Sequence, residues 1–269
     1  MGSGFDDKKI RRGLRRFYIA RQRIQQENEQ KIAKLDRELA HYVKTVLRLG
    51  PGAKIALFDG SGKEYVSEII ELKPGRGRAR VIEESFPQSE SELELFLSQA
   101  ILKEQAFDRV LTSAAELGVT SIVPLITSRV VVNVPAKEAD KKLYRWEKIL
   151  QEAAAQSGRV KFPKISYPVQ LDQMLKGGFD GIKIMLWEKA KGGELEKLRQ
   201  NLPPSWNNKK IMLLVGPEGG FEDDEVGKAI EAGFVPVGLG PRVLRAETAA
   251  ISIVSIIQYL FGDLPKPLI

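Results

Sequence analysis

Two glycine- and proline-rich loops hold the residues of this chain best suited to grip a small ligand. The first follows the apolar run Ile211-Met212-Leu213-Leu214-Val215 and reads Gly216-Pro217-Glu218-Gly219-Gly220-Phe221. The second follows residues 235–239 and reads Gly240-Pro241-Arg242-Val243-Leu244-Arg245-Ala246-Glu247-Thr248, giving way to an apolar helix from about Ala249. Short apolar runs of this kind form strands covered on both faces. Two adjacent loops at the carboxyl ends of parallel strands make the crevice in which open α/β sheets bind ligands. Glycine there lets a ligand lie against bare backbone, and proline holds the loop stiff. Neither GxGxxG nor GxxxxGK[ST] occurs in this region, which argues against a generic nucleotide-phosphate loop. Taken singly, the glycines read equally well as ordinary turn residues, and Leu239 and Leu244 as core.

The pair GPEGGF and GLGPRVLRAETA resembles the SPOUT class of S-adenosylmethionine-dependent RNA methyltransferases. More narrowly, it is similar to the family that methylates N3 of a uridine in small-subunit ribosomal RNA. Other segments stand in that family's order: Ala115-Glu116-Leu117-Gly118-Val119, Ser128-Arg129, Glu152-Ala153-Ala154-Ala155-Gln156-Ser157-Gly158-Arg159, His41-Tyr42-Val43-Lys44-Thr45-Val46-Leu47-Arg48-Leu49 and Leu57-Phe58-Asp59-Gly60. The resemblance runs over residues 14–262. It implies a PUA-like, RNA-binding β-barrel over residues 1–85. A SPOUT α/β domain with a parallel sheet and a deep trefoil knot would occupy residues 86–269. It further implies S-adenosylmethionine as cofactor, small-subunit ribosomal RNA as partner, and a homodimer paired through the knotted region.

Under that resemblance the residues take roles. Leu239, Gly240, Val243 and Leu244 suit an adenine slot lined by backbone groups. Gly216, Pro217, Glu218 and Gly219 would follow the ribose and methionine portion, with the Glu218 carboxylate accepting ribose hydroxyls. Leu186-Trp187-Glu188, ending a neighbouring strand, would form a third wall, and Arg245 and Thr248 complete the cofactor set. Uracil N3 carries a proton and is a poor nucleophile, so the site must help that proton leave and stabilise an anion spread onto O2 and O4. Arginine suits the second task because its fork of donors stays charged. Arg245 is the first choice for it, with Arg242 and Glu247 beside it. Glu116, Glu152 and Glu247 are candidate proton acceptors, and none stands out; Glu247 reads as readily as a charge at a helix amino terminus. Arg129, Gln156, Ser157 and Arg159 would face RNA from the catalytic domain, although both arginines equally suit salt bridges. Arg15, Arg16, His41, Lys44 and Arg48 would hold the RNA backbone from the amino-terminal domain.

Composition narrows the chemistry further. The 269 residues contain no cysteine, which excludes disulfides, thiolate metal sites and the cysteine adduct ordinarily used to methylate uracil at C5. His41 is the sole histidine, too few for an imidazole-rich metal site, so no metal is expected. No run of eighteen apolar residues occurs and the first residues lack the apolar stretch of a signal peptide, so an intracellular protein is expected, cytoplasmic or, in a eukaryotic host, in an organellar matrix or stroma. The net charge of +7 is confined to one part. Residues 1–85 hold 19 Lys and Arg against 12 Asp and Glu, whereas residues 86–269 hold 23 of each. A basic segment beside a neutral one suits a polyanion-binding part joined to a part with another task. The cluster Lys8, Lys9, Arg11, Arg12, Arg15 and Arg16 also reads as a solvated basic tail.

The elements needed to position these loops are legible in outline. Residues 16–19 read as a strand, and residues 31–48 carry Ile32, Leu35, Leu39, Val43, Val46 and Leu47 at helical spacing. Strands follow at 53–58, 65–72 and 78–83, with hairpin signals at Asp59-Gly60 and Lys73-Pro74-Gly75; short strands and tight turns predict a small barrel. Residues 85–91 read as a linker. From Leu93 the pattern is α/β. Strands are predicted at 93–100, 122–126, 164–166 and 182–187, with helices at 107–117, 141–155 and 194–199, hence a parallel sheet with right-handed crossovers. Two other functions remain open on the same residues: ribose 2′-O-methylation by a SPOUT enzyme, and a non-catalytic RNA-binding assembly factor.

Overall fold

The computed structural model describes residues 13–132, 134–190, 192–201 and 209–265; Lys8, Lys9, Arg11 and Arg12 lie outside them. The chain forms two compact units. One comprises Met1–Glu90 together with Ala154–Phe162, and the other Ser91–Ala153 together with Pro163–Ile269. The boundary therefore falls at 90/91 rather than 85/86, and the first unit includes a piece of chain from far downstream.

In the first unit, β1 (Arg16–Tyr18), β2 (Ile24–Glu27), β3 (Gln30–Leu35), β4 (Lys54–Phe58), β5 (Glu64–Lys73) and β6 (Arg76–Ser85) form one sheet in the order β1-β4-β5-β6-β3-β2. The β1–β4 pair is parallel and the others antiparallel. Register shifts in the β5–β6 ladder at Val66/Ser67 and Ile69/Glu71 supply the bend that lets one face close on a core. That core is Ile19, Ala33, Leu35, Ile55, Leu57, Ile69 and Ala79, roofed by Ala40 and Val43. The predicted helix over 31–48 is corrected here. Residues 30–35 are a strand, and the helix α1 (Arg37–His41) starts only where Asp36 caps it, accepting the Leu39 N–H at 2.8 Å. It runs on as a π-turn, Tyr42–Val46. Ile32 and Leu35, three apart, suit a helix, but in the strand it is Ala33 and Leu35 that share the core face, and Asn28 in the left-handed region (φ 52°) turns a polar hairpin that the apolar pattern does not reveal.

The downstream piece adds a second small core to this unit, in which Phe58, Ala154 and Val160 are buried beside Tyr18 and Phe162. The Tyr18 and Phe162 rings meet edge to face at 5.1 Å. Glu90 ties the piece down: its carboxylate accepts Arg159 Nε at 3.0 Å and Nη2 at 2.9 Å, and the Val160 and Lys161 N–H groups at 3.0 Å.

The second unit is α/β. Its strands are β7 (Glu94–Ala100), β8 (Ser121–Ile126), β9 (Lys164–Ile165), β10 (Val169–Gln170), β11 (Ile182–Leu186), β12 (Lys210–Val215) and β13 (Val235–Val237). They pair in parallel in the order β10-β8-β7-β12-β11-β13, with β9 also on β8. The helices are α2 (Glu104–Glu116), α3 (Ala136–Ser157), α4 (Leu171–Leu175), α5 (Glu194–Gln200), α6 (Asp223–Glu231) and α7 (Ala246–Phe261). Alternate residues of β12 go to opposite faces. Ile211, Leu213 and Val215 join Phe107, Leu111, Ile253 and Ile257, while Leu214 joins Phe221, Val226 and Phe234. Several predicted boundaries shift: α2 starts at Glu104, α3 starts at Ala136, β13 ends at Val237, and α7 starts at Ala246 with Arg245 at its N-cap.

Candidate functional site

A cleft of about 600 Å³ opens at the carboxyl ends of β11, β12 and β13. That volume lies within the range of small-molecule and cofactor sites. The two motif loops do not leave adjacent strands as the sequence suggested, because β11 pairs with both β12 and β13 and lies between them. Leu186-Trp187-Glu188 is thus the middle wall of the cleft, flanked by both loops. Leu186, Trp187, Glu188, Gly216, Pro217, Glu218, Leu239, Gly240, Arg242, Val243 and Leu244 all line it. Gly219, Arg245, Glu247 and Thr248, assigned to the same site, do not. Arg245 is exposed at the N-cap of α7, and Glu247 is buried in that helix's first turn.

The glycines divide by what their missing side chains would meet. A Cβ on Gly216 would stand 3.0 Å from the Phe221 ring, and one on Gly238 2.9 Å from the Ala190 carbonyl, so these two serve the chain's own close packing. Gly240 has φ +96° and nothing within 4 Å of its would-be Cβ. It is the glycine of the second loop that leaves room for a ligand.

Several residues that the sequence did not single out hold the loops in place. Gln99, fully buried at the end of β7, donates Nε2 to the Ala100 carbonyl at 3.0 Å and to the Gly216 carbonyl at 3.3 Å. Its Oε1 is buried without a hydrogen bond. Glu225, buried in α6, accepts the Ser128 N–H at 2.8 Å and Oγ at 3.0 Å through one oxygen and the Glu222 N–H at 2.9 Å through the other. A capping box of Glu222 and Glu225 starts α6, with glutamate at the N-cap where the usual sequence signature has Ser, Thr, Asp or Asn. At the rim, Lys189 pairs with Asp223 at 2.8 Å, and that ammonium holds the Asp223 carboxyl below its ordinary pKa.

The same geometry reassigns several predicted contacts. Arg129 lines the cleft, and its guanidinium is committed to Glu222 (2.8 and 2.9 Å) and to the Gly219 carbonyl (2.7 Å), making it a brace for the first loop. The Glu222 hydrogen bonds and charge raise the Arg129 pKa. Glu218 accepts the Lys103 N–H at 3.1 Å, so one carboxylate oxygen caps α2. Glu116 lies in the last turn of α2, which starts after the carboxyl end of β7 and returns to the start of β8; it is at the opposite edge of the sheet from the cleft. Neither Glu116 nor Glu152 is among the residues that line the cleft.

In the first unit Arg159 is only 6% exposed and belongs to the Glu90 pair, so it is not an RNA contact. Arg16 is ion-paired with buried Glu64 and donates to the Arg159 carbonyl at 3.0 Å, so it too is structural. Burial lowers the Arg16 pKa against the pull of Glu64. Arg15, His41, Lys44, Arg48, Gln156 and Ser157 are exposed and available. His41 Nδ1 lies 3.4 Å from Thr45 Oγ1, and Ser157 Oγ donates to the Ala154 carbonyl at 3.4 Å.

Comparison with known proteins agrees with this geometry. Residues 89–258 match the model of an RNA methyltransferase domain, and residues 35–82 that of an RNA methyltransferase PUA domain. The chain is 34% identical over 212 residues to ribosomal RNA small subunit methyltransferase E of Synechocystis, covering 78% of this chain and 67% of that protein. It is 29% identical over 248 residues to the Bacillus subtilis protein of the same name, covering 91% and 96%. Among solved structures, a Legionella pneumophila methyltransferase with bound SAM superposes with a TM-score of 0.83 at 34% identity, over 93% of this chain and 99% of that one. The Neisseria gonorrhoeae ribosomal RNA small subunit methyltransferase E bound to S-adenosylmethionine gives 0.80 at 31%, with the same coverage.

Proposed function

The chain belongs to the RNA methyltransferase family, and on that premise we propose that it transfers a methyl group from S-adenosylmethionine to N3 of a uridine in small-subunit ribosomal RNA. The observation that carries this reading is the cleft itself, in which both resembling loops and the β11 terminus converge around the opening at Gly240. S-adenosylmethionine supplies a methyl group made electrophilic by its sulfonium. The N3 proton that the methyl replaces passes to water at the mouth of the cleft, since Glu116, Glu152 and Glu247 do not line it. Leu239, Gly240, Val243 and Leu244 offer backbone donors, backbone acceptors and apolar surface to the adenine. Gly216 and Pro217 follow the rest of the molecule, and the second oxygen of Glu218 is left for a ribose hydroxyl. Two arginines line the cleft; Arg129 is committed to Glu222 and the Gly219 carbonyl, which leaves Arg242 to face the negative charge that develops on uracil O2 and O4. Arg245, preferred on sequence grounds, stands outside the lining, which makes it the second choice for that task.

RNA reaches the chain through the exposed Arg15, His41, Lys44 and Arg48 of the PUA-bearing unit. The homodimer and the trefoil knot belong to the same proposal. Val243 is 85% exposed and Tyr259 63%, apolar surface that a second copy would cover. The position of β11 between two later strands supports the knot. Incubating the protein with S-adenosylmethionine and small-subunit ribosomal RNA, then digesting to nucleosides, tests the chemistry. Mass analysis should give 3-methyluridine; a 2′-O-methyl nucleoside would establish the ribose reading instead, and no methyl transfer would refute both. Sedimentation at low concentration should give a dimer, and an active 30 kDa monomer would overturn that part.

A further inference from the structure

A second cavity, of about 260 Å³, lies beside the cleft and takes no part in the site described above. Its floor is apolar, formed by Ile101, Leu102, Phe107 and Trp146, the last two almost fully buried. Its rim is bipolar: Lys141 and Lys142 from α3, and the carboxylates Glu104 from α2 and Glu138 from α3. Arg145 also reaches the cavity, but its charge is taken up by an ion pair with Asp108.

The position of this cavity gives it meaning. Glu218 of the cleft contacts the Lys103 N–H, and Lys103 stands between Leu102 and Glu104, both of which line the second cavity. The loop after β8 likewise puts Arg129 on the cleft and Val132 on the cavity. The two hollows therefore share a wall at the carboxyl edge of one sheet.

From this arrangement we infer that the second cavity holds a nucleotide of the RNA strand that flanks the methylated base. The inference rests on the RNA-methylating reading of the cleft. A site for a simple anion would not carry two carboxylates, and a site for a cation would not carry two lysines. A nucleotide in a strand needs all three features. Its ring takes the apolar floor, its base-edge N–H donors face Glu104 and Glu138, and its phosphate pairs with Lys141 and Lys142. A strand with one base in the cleft continues past the shared wall, so the neighbouring nucleotide arrives at the cavity without leaving the protein surface. The bend this demands suits unpaired RNA, whose bases can be splayed apart.

The test is the salt dependence of binding between the full-length protein and small-subunit ribosomal RNA, with S-adenosylmethionine saturating. In a single strand each phosphate neutralised contributes about 0.7 to the slope of log K against log salt. The double variant Lys141→Gln/Lys142→Gln, which frees the one phosphate held by both lysines, should flatten the slope by about 0.7 and raise the KM for RNA, with cofactor affinity by calorimetry unchanged. Lys176→Gln, loss of an exposed charge at the carboxyl end of α4 that lines neither hollow, should leave the slope as it is. An unchanged slope in the double variant would overturn the inference, as would an equal change in Lys176→Gln, which would mean a diffuse field. Glu104→Gln should alter KM for RNA while leaving the salt slope alone; a KM equal to the unmodified protein's would remove the base contact. Failure of the methylation reading is distinguishable, because the unmodified protein would then transfer no methyl to the RNA at all.

Discussion

Replacing Gln99 with leucine should weaken cofactor binding while leaving stability almost untouched, an uncommon pairing that follows from the Gln99 contacts. Leucine has nearly the same volume, so no cavity opens. Two hydrogen bonds from Nε2 disappear, to Ala100 and Gly216, each worth about 1 kcal/mol net at most. In return the buried Oε1, which has no hydrogen-bond partner, is removed, and such an atom costs about 1–3 kcal/mol. Gly216 is half-exposed, so water can take over at its carbonyl. The two sides nearly cancel, and Tm should move by no more than about 4 °C. The Gly216 carbonyl, however, loses the group that fixes it at the first turn of the cofactor loop. A loss of about 1 kcal/mol of preorganisation is about fivefold in Kd, measurable by calorimetry with S-adenosylmethionine. Gln99→Glu makes a sharper variant. A carboxylate cannot donate to the Gly216 carbonyl but a protonated carboxyl can, so its cofactor affinity should recover as pH falls, beyond any drift in the unmodified protein. A variant that melts about 10 °C lower yet binds cofactor normally would show Gln99 to be a core residue only.

Gly216→Ala should cost both stability and cofactor affinity, because its Cβ would stand 3.0 Å from the buried Phe221 ring, whereas Gly240→Trp should abolish cofactor binding with a smaller change in Tm, its cost being backbone strain of about 1–2 kcal/mol at positive φ; calorimetry and thermal unfolding of both would separate the two roles. Arg159→Ala should lower Tm by roughly 6–12 °C, about 3 kcal/mol for breaking a buried pair in which Glu90 keeps the Val160 and Lys161 N–H donors; a normal Tm with weakened RNA binding would restore Arg159 as an RNA contact. Burial pushes the Asp59 carboxyl up, but donors from Ser61 and the Tyr65 hydroxyl outweigh it and leave its pKa lowered. Its contribution to stability is therefore complete above the ordinary Asp value of about 3.9 and lost as pH falls through the lowered one. The gap in Tm between the unmodified protein and Asp59→Asn should accordingly be constant from neutral pH to about pH 4 and close below it, and a gap that persists in stronger acid would exclude the ionised carboxylate as its source.

What the sequence could convey about this fold depended on whether neighbours in space were neighbours in the chain. The longer strands of the parallel sheet were legible because each is an apolar run bounded by turn residues, as Ile211-Met212-Leu213-Leu214-Val215 is by Gly216-Pro217, whereas β10, only Val169–Gln170, offers no such run and was missed. Their order was not, since nothing in those runs says that β11 enters between β12 and β13, and pairing two glycine loops by likeness placed them side by side when the Leu186-Trp187-Glu188 wall divides them. The same limit explains the arginines. A guanidinium on an exposed-looking segment reads as an RNA contact until its partner is known, and the partners of Arg129 and Arg159 lie 93 and 69 residues away in Glu222 and Glu90.

Gln99 was illegible for a different reason: a single amide in an apolar strand has no periodicity, and only its hydrogen bond across 117 residues to Gly216 reveals its task. The segment Ala154–Phe162 joins both limits. Read along the chain, Glu152-Ala153-Ala154-Ala155-Gln156-Ser157-Gly158-Arg159 is one helical motif of the catalytic domain, yet its latter half packs with the amino-terminal unit, where Val160 and Phe162 finish a core begun by Tyr18 and Phe58. An amino-terminal fragment ending near residue 88 would therefore lack both that core and Glu90, the residue that fixes it. Any weak RNA binding by such a fragment would reflect an incomplete unit, so the separate contributions of the two units are to be measured by substitutions in the whole chain.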